Sequence, residues 1–176
     1  MSAPVRSIGL DLSCTSTGIV VLASVLASGN PRLLHTETVK VKTTGLQRCS
    51  DVAERVLWAM EAFNPEQIVI EGYGGSFKGS IIPIVELGTV VRYFLRQQGR
   101  CWTEPAPTQL KKFVLGKGVG EKEQMMLQVF KRWGYEAPNN DLADAYGLAC
   151  MGLGRVGQLS GMTQAMLEVL GTLKTV

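Results

Sequence analysis

Apolar and polar residues alternate along Val5 to Leu12, β-branched and aliphatic residues crowd Thr17 to Leu26, and alternation returns over Arg32 to Val41 (RLLHTETVKV). Period-two patterns of this kind predict three β-strands, with SGNP at 28–31 as the turn between the last two. Three successive strands form, most simply, an antiparallel meander. The period then changes: Leu46, Cys49, Ala53, Val56, Met60 and Phe63 recur at helical spacing and stop before Pro65, which predicts a helix of about five turns. A short buried strand follows at Gln67 to Glu71 (QIVIE), and the sequence GYGGSFKG at 72–79 is too glycine-rich for regular structure.

Beyond that loop, IIPIVELGTVVRYFLRQQG predicts a helix with Pro83 near its first turn and Gly99 at its end. CWTE at 101–104 predicts another short strand, and Pro107-Thr108 opens a helical turn. After a Gly/Lys loop (GKGVG, 116–120), EKEQMMLQVFKRWG predicts a helix that buries Met126, Val129, Phe130 and Trp133. Two last helices start at Asn139 or Asn140 and near Leu159; the apolar series Leu159, Met162, Met166, Val169, Leu170 and Leu173 marks the second, near 158–174, as packed in the core or against a dimer partner, with core the favoured reading. The order predicts an α/β fold: a five-stranded mixed sheet, three antiparallel strands then two parallel, flanked by helices on both faces. This order resembles the ribonuclease H-like fold.

Composition narrows the class. At 176 residues and 45% hydrophobic, the chain is expected to form one domain, 1–176, with a proper core. No apolar run approaches the roughly 18 residues of a membrane span, and MSAPVRSIGLDL is unlike a secretory signal, so a cytoplasmic protein without a membrane partner is expected. Cys14, Cys49, Cys101 and Cys150 form no CxxC pair, so reduced, mostly buried thiols are expected. The net charge of +3 is too small to announce nucleic acid. Neutralising four acids with bound metal would leave an excess of about +7, which suits a phosphate-bearing partner.

Four acids carry the candidate chemistry. Asp11 ends the first strand in GLDLSCTSTG, where it can form a turn or, equally, hold a metal or phosphate at a sheet end. Glu71 ends the fourth strand; if that strand lies beside the first, both carboxylates emerge at the same end. Asp141 and Asp144 in NNDLADAYGLA stand at i and i+3 on one helical face. Asp141 can serve the helix dipole behind an asparagine cap, but Asp144 sits among Leu142, Ala143, Ala145, Leu148 and Ala149, where an acid needs a compensating cation. Carboxylates without a convergent His or Cys suit Mg²⁺ or Mn²⁺ and not Zn²⁺. Two such ions about 3.5–4 Å apart can clamp a scissile phosphate for in-line hydrolysis of a phosphodiester.

The ordered set Asp11, Glu71, Asp141 and Asp144 resembles the four acids of the RuvC family of Holliday junction resolvases. The stretch VLGKGVGEKEQMMLQVFKRWGYEAPNNDLADAYGLA resembles that family's segment from a glycine-rich loop through "EK" to "DxxDA", and the likeness covers most of residues 5 to 150. The resemblance implies a homodimeric, Mg²⁺-dependent endonuclease, with two ions per site and Mn²⁺ as a substitute, cutting four-way junctions and other branched DNA symmetrically. It implies that the four acids are metal ligands, Lys122 a basic group near the scissile phosphate and Lys111 a phosphate contact. Asp11-Leu12-Ser13 replaces the family's common Asp-Pro-Gly and is closer to phage-type members. The family's aromatic wedge falls on a glycine in strict register, leaving Tyr73 or Phe77 for that part.

Tyr73, Phe77 and Lys78 lie in the glycine-rich loop, where an aromatic can stack on an unpaired base or fold back on the surface. Lys111, Lys112, Lys117 and Lys122 form a candidate phosphate track. His35, alone on the third strand, is expected to be exposed or at an edge. Two rival readings are a catalytically silent module that only binds branched DNA and an actin-like or sugar-kinase-like phosphotransferase, to which GLDLSCTSTG also bears a likeness. The latter needs two such domains around a nucleotide, more than 176 residues supply.

Overall fold

The computed structural model describes residues 3–25, 29–74 and 81–176, with Lys122 described by its backbone alone. Strands β1 (Arg6–Asp11), β2 (Thr17–Ala23) and β3 (Arg32–Val39) form the expected antiparallel meander. Part of the predicted extension of β2 to Leu26, and of the turn after it, lies outside the described residues. Helix α1 (Gly45–Phe63) leads to β4 (Gln67–Ile70), which pairs in parallel with β1, so the sheet order is β3-β2-β1-β4.

The sheet has four strands, not five. In place of the fifth, Thr103 alone bridges to Val69: its N–H donates to Ile68 O at 2.9 Å, and Ile70 N–H donates to Thr103 O at 3.0 Å. The segment cannot extend the ladder because Pro105 and Pro107 follow, lacking the N–H groups a strand needs. Thr175, near the C-terminus, bridges the other side of Thr103.

Alternation along β1 sorts the layers. Ile8 and Leu10 point into a core shared with α1 and α2 (Ile82–Gln97), while Ser7, Gly9 and Asp11 fall on the opposite face. There lie α3 (Pro107–Leu115), α4 (Lys122–Trp133), α5 (Asn140–Arg155) and α6 (Gln164–Thr172), which share the second core. Helix α5 is the central piece, buried almost continuously from Leu142 to Leu153. It touches the sheet through backbone: a Cβ on Gly9 would stand 2.0 Å from Ala145 O, and one on Gly18 would stand 2.3 Å from Asp141 O.

Several expectations are corrected. The buried stripe of α4 is Met125, Val129 and Trp133, at i, i+4 and i+8; Met126 is only partly buried and Phe130 is exposed. Trp133 stacks on Phe113 of α3, with centroids 6.3 Å apart, and packs on Tyr146 of α5 at 5.9 Å, and these contacts set the rotation of the helix. The segment after Pro107 is a helix of nine residues, longer than one turn. Helix α6 begins at Gln164, capped by Thr163, and Leu159 is buried in the connection before it. His35 is largely buried against Phe63, Trp58 and Glu37. Only Cys49 and Cys150 of the four thiols are buried.

Because the obstacles facing Gly9 are backbone atoms, they cannot swing aside as a side chain would. Gly9→Ala is expected to cost about 3 kcal/mol or more and to lower Tm by about 6 °C or more in thermal unfolding. Gly171→Ala, with nothing within 4 Å of its added Cβ, is the control and should leave Tm unchanged or slightly higher.

Candidate active site

Asp11 and Glu71 end neighbouring strands at one end of the sheet, and the start of α5, which carries Asp141 and Asp144, lies over that end. Leu10 pairs with Ile70 in the parallel register, and Glu71 N–H donates to Leu10 O at 3.1 Å. Asp11 and Glu71 are therefore adjacent strand-end residues. By the alternation that puts Ile8, Leu10, Ile68 and Ile70 on the α1–α2 face, both belong to the α5 side. Asp11 also pairs with Gly18 of β2, whose missing side chain admits the backbone of Asp141. Asn139 is the cap that the sequence left open between two asparagines: its Oδ1 accepts Leu142 N–H at 2.9 Å, and its Nδ2 donates to Thr38 Oγ1 at 3.0 Å. That pair ties the first turn of α5, and Asp141 with it, to β3.

Charge and burial act together here. Glu71 is pushed up to about 7, first by burial and then by the negative charge of Asp144, against the opposing pull of Lys111. Asp144 and Lys111 are thus both within electrostatic reach of Glu71. A buried Glu71 facing the charge of Asp144 fits a hard divalent cation, which reverses both causes. All its donors are oxygen, matching Mg²⁺ or Mn²⁺ chemistry. Among the described residues, no three His, Cys, Asp or Glu side chains already close on a common point as a preformed metal cluster.

The basic and aromatic candidates separate. Lys111 lines a groove of about 550 Å³ with Tyr73, Pro107, Thr108, Gly118 and Gly120, continuous with the carboxylates through Tyr73 and Gly74. Lys117 is exposed on the glycine loop beside it. Lys112 points elsewhere: its Nζ pairs with Glu168 of α6 at 2.9 Å. Lys122 is the first residue of α4. Phe77 and Lys78 lie outside the described residues.

Two residues emerge that sequence reasoning missed. Ser16 Oγ donates to Asp141 Oδ2, from a β1–β2 turn braced by Thr17, whose hydroxyl accepts Ser13 N–H at 3.2 Å and donates to Ser13 O at 3.1 Å. The hydroxyl-rich run SCTST was a signal for such a brace. Arg92 of α2 lines a cavity of about 80 Å³ with Glu71, Tyr73 and Leu12, and nothing in its helical pattern announced that.

The sequence model of the family described as "Crossover junction endodeoxyribonuclease RuvC" matches residues 7–151. Among solved structures, Thermus thermophilus RuvC in complex with a Holliday junction substrate is 26% identical, covers 98% of this chain and 99% of its own, and superposes with a TM-score of 0.73. A second Thermus thermophilus RuvC structure is 24% identical over 89% of this chain and 99% of its own, with a TM-score of 0.74. The fowlpox virus resolvase in complex with Holliday junction DNA shares the fold at 16% identity, a TM-score of 0.54 and coverage of 88% and 99%. Among curated proteins, none matches the chain. A family match spanning most of the sequence, on a fold shared with solved resolvases, places this chain in the RuvC family of crossover junction endodeoxyribonucleases, metal-dependent nucleases that resolve DNA junctions.

Proposed function

We propose that the chain, acting as one nuclease domain over 1–176, resolves four-way DNA junctions as a homodimer that makes paired symmetric nicks. Asp11, Glu71, Asp141 and Asp144 are its Mg²⁺ ligands. The observation that carries this reading is the opposition of Glu71 and Asp144 in a site whose burial already penalises charge. Two Mg²⁺ ions held by the four acids, with Mn²⁺ as a substitute, would supply an activated water and stabilise the leaving 3′ oxygen. The chain's own residues hold the DNA. Lys111 offers its charge between the carboxylates and the groove, Lys117 offers a phosphate contact at the rim, and Lys122, the first residue of α4, would serve as the basic group for the scissile phosphate that the family resemblance implies.

Paired nicks need two sites related by a two-fold axis, hence two copies. Support for a dimer face comes from α1 and α2, where exposed Leu46, Ile81 and Ile82 rim an apolar groove of about 510 Å³ floored by Cys49 and Val85. Among the described residues, no helix is long and apolar enough to cross a membrane, and the proposed setting is the cytoplasm of a bacterial or phage-infected cell.

Labelled four-way junction, flap and duplex DNA, incubated with Mg²⁺ or chelator, test the reading. Cleavage should favour the junction and vanish in chelator; ATP hydrolysis without DNA cleavage would sink it. Asp144→Asn should keep junction affinity while cutting slows by about 10²-fold or more, since losing even an outer partner of a metal costs that much. Ile82→Asp should convert dimers to monomers in sedimentation analysis, and an unchanged dimer would move the interface elsewhere.

A pH dependence follows with a definite sign. Glu71 keeps its proton up to about pH 7 in the folded protein, whereas its ordinary value is 4.5. The folded form therefore binds the extra proton between those values, and metal-free stability falls as pH rises through that window. Glu71→Gln should stabilise chelated protein at pH 8 by up to about 3 kcal/mol, read as a higher Tm, and change Tm little at pH 4. Saturating Mg²⁺ at pH 8 should stabilise wild type and not the variant.

A further inference from the structure

The turn between β1 and β2 is braced from within. Thr17 is fully buried, and its hydroxyl accepts Ser13 N–H at 3.2 Å and donates to Ser13 O at 3.1 Å, which closes the turn on itself. Ser13 Oγ in turn accepts Thr15 N–H at 3.3 Å. Ser16 is presented from this frame, and its hydroxyl donates to Oδ2 of Asp141, 125 residues further along the chain.

Neither partner needs that contact for its own sake. Ser16 is partly exposed, so water could satisfy its hydroxyl. Asp141 lies in the first turn of α5, but the capping there is done by Asn139, whose Oδ1 takes the Leu142 N–H. The main chain of Asp141 is already fixed against β2, because a Cβ on Gly18 would stand 2.3 Å from its carbonyl oxygen. What remains able to turn is the carboxylate, and Ser16 removes that freedom.

The loss of freedom matters for ligation. A carboxylate holds a cation by one oxygen or by both. Two-oxygen ligation suits Ca²⁺, which takes six to eight oxygens at about 2.3–2.6 Å in flexible geometry. Mg²⁺ demands a near-ideal octahedron at about 2.0–2.1 Å. The corners of that octahedron lie at right angles, which the two oxygens of one carboxylate are too close together to span. With Oδ2 committed to Ser16, Oδ1 is the oxygen that Asp141 has to give.

We infer that Ser16 is a positioning residue that commits Asp141 to one-oxygen ligation through Oδ1, and so biases the site toward a small octahedral dication and against Ca²⁺. The inference rests on the reading of Asp141 as a metal ligand and adds which cation the site disfavours and by what device. Ser16 acts through Asp141 and touches no substrate.

Ion binding is measured without DNA or turnover, by calorimetric titration of chelator-treated, dialysed protein with Mg²⁺ or Ca²⁺; the metal-free Tm checks that each variant folds. Ser16→Ala and, independently, Ser16→Gly should shift the ratio of Ca²⁺ to Mg²⁺ affinity toward Ca²⁺ by about 10-fold or more, since losing an outer partner of a ligand costs about 10- to 100-fold and here falls on Mg²⁺. Ser16→Thr, which keeps the hydroxyl, should restore the ratio, and Thr15→Ala, which alters the same turn beside the contact, should leave it as in wild type. In Mg²⁺-driven junction cleavage, less Ca²⁺ should half-inhibit Ser16→Ala than wild type. Equal weakening of both ions in the folded hydroxyl-free variants, an unchanged ratio, or a folded Ser16→Thr that fails to restore it overturns the inference, while Mg²⁺-dependent junction cleavage by wild type still upholds the nuclease reading. Wild type that binds no dication and cuts no junction overturns both.

Discussion

Helix α5 rests on the sheet by backbone, and the position of the site's carboxylates depends on that contact. Side chains ordinarily separate a helix from a sheet; here Gly9 and Gly18 remove them at two points. The helix settles far enough for the first turn, with Asp141, to reach the strand end that carries Asp11. Asn139 fixes where the helix begins, and Ser16 reaches Asp141 from the adjoining turn. The parallel pairing of β1 and β4 then brings Glu71 into the same space.

Assembling acids this way opposes stability. The contact that serves chemistry also drives Glu71 and Asp144 toward one another in a place where water screens them poorly. The surrounding core carries that load: α5 is buried along almost its whole length, and α3, α4 and α6 pack around it. The repulsion is concentrated at the helix start, the end from which a cation can enter.

Local periodicity made much of this legible. Alternation in β1 put Asp11 opposite Ile8 and Leu10, and the i, i+3 spacing put Asp141 and Asp144 on one face, because both periods follow from backbone geometry alone. The pattern failed where two registers were equally apolar. In α4, adjacent Met125 and Met126 offer two possible stripes, and the contacts of Trp133 with Phe113 and Tyr146 select between them. The fifth strand failed for a related reason, since CWTE has strand-like residues but prolines next to it that end the ladder after one bridge. Ser16 with Asp141, Lys112 with Glu168 and Arg92 with Tyr73 join residues far apart in the chain, and such pairings leave no trace in a local pattern.

The single-residue bridge at Thr103 has a further consequence. It covers part of one margin of the sheet, and Thr175 seals it from outside. At the other margin, β3 carries Arg32, His35 and Glu37, and its pairing with β2 is interrupted by a bulge between Val21 and Leu22. Charge and irregularity at an edge discourage strand addition. Both margins of the sheet are therefore guarded within one molecule, against strand pairing of the kind that leads to runaway aggregation.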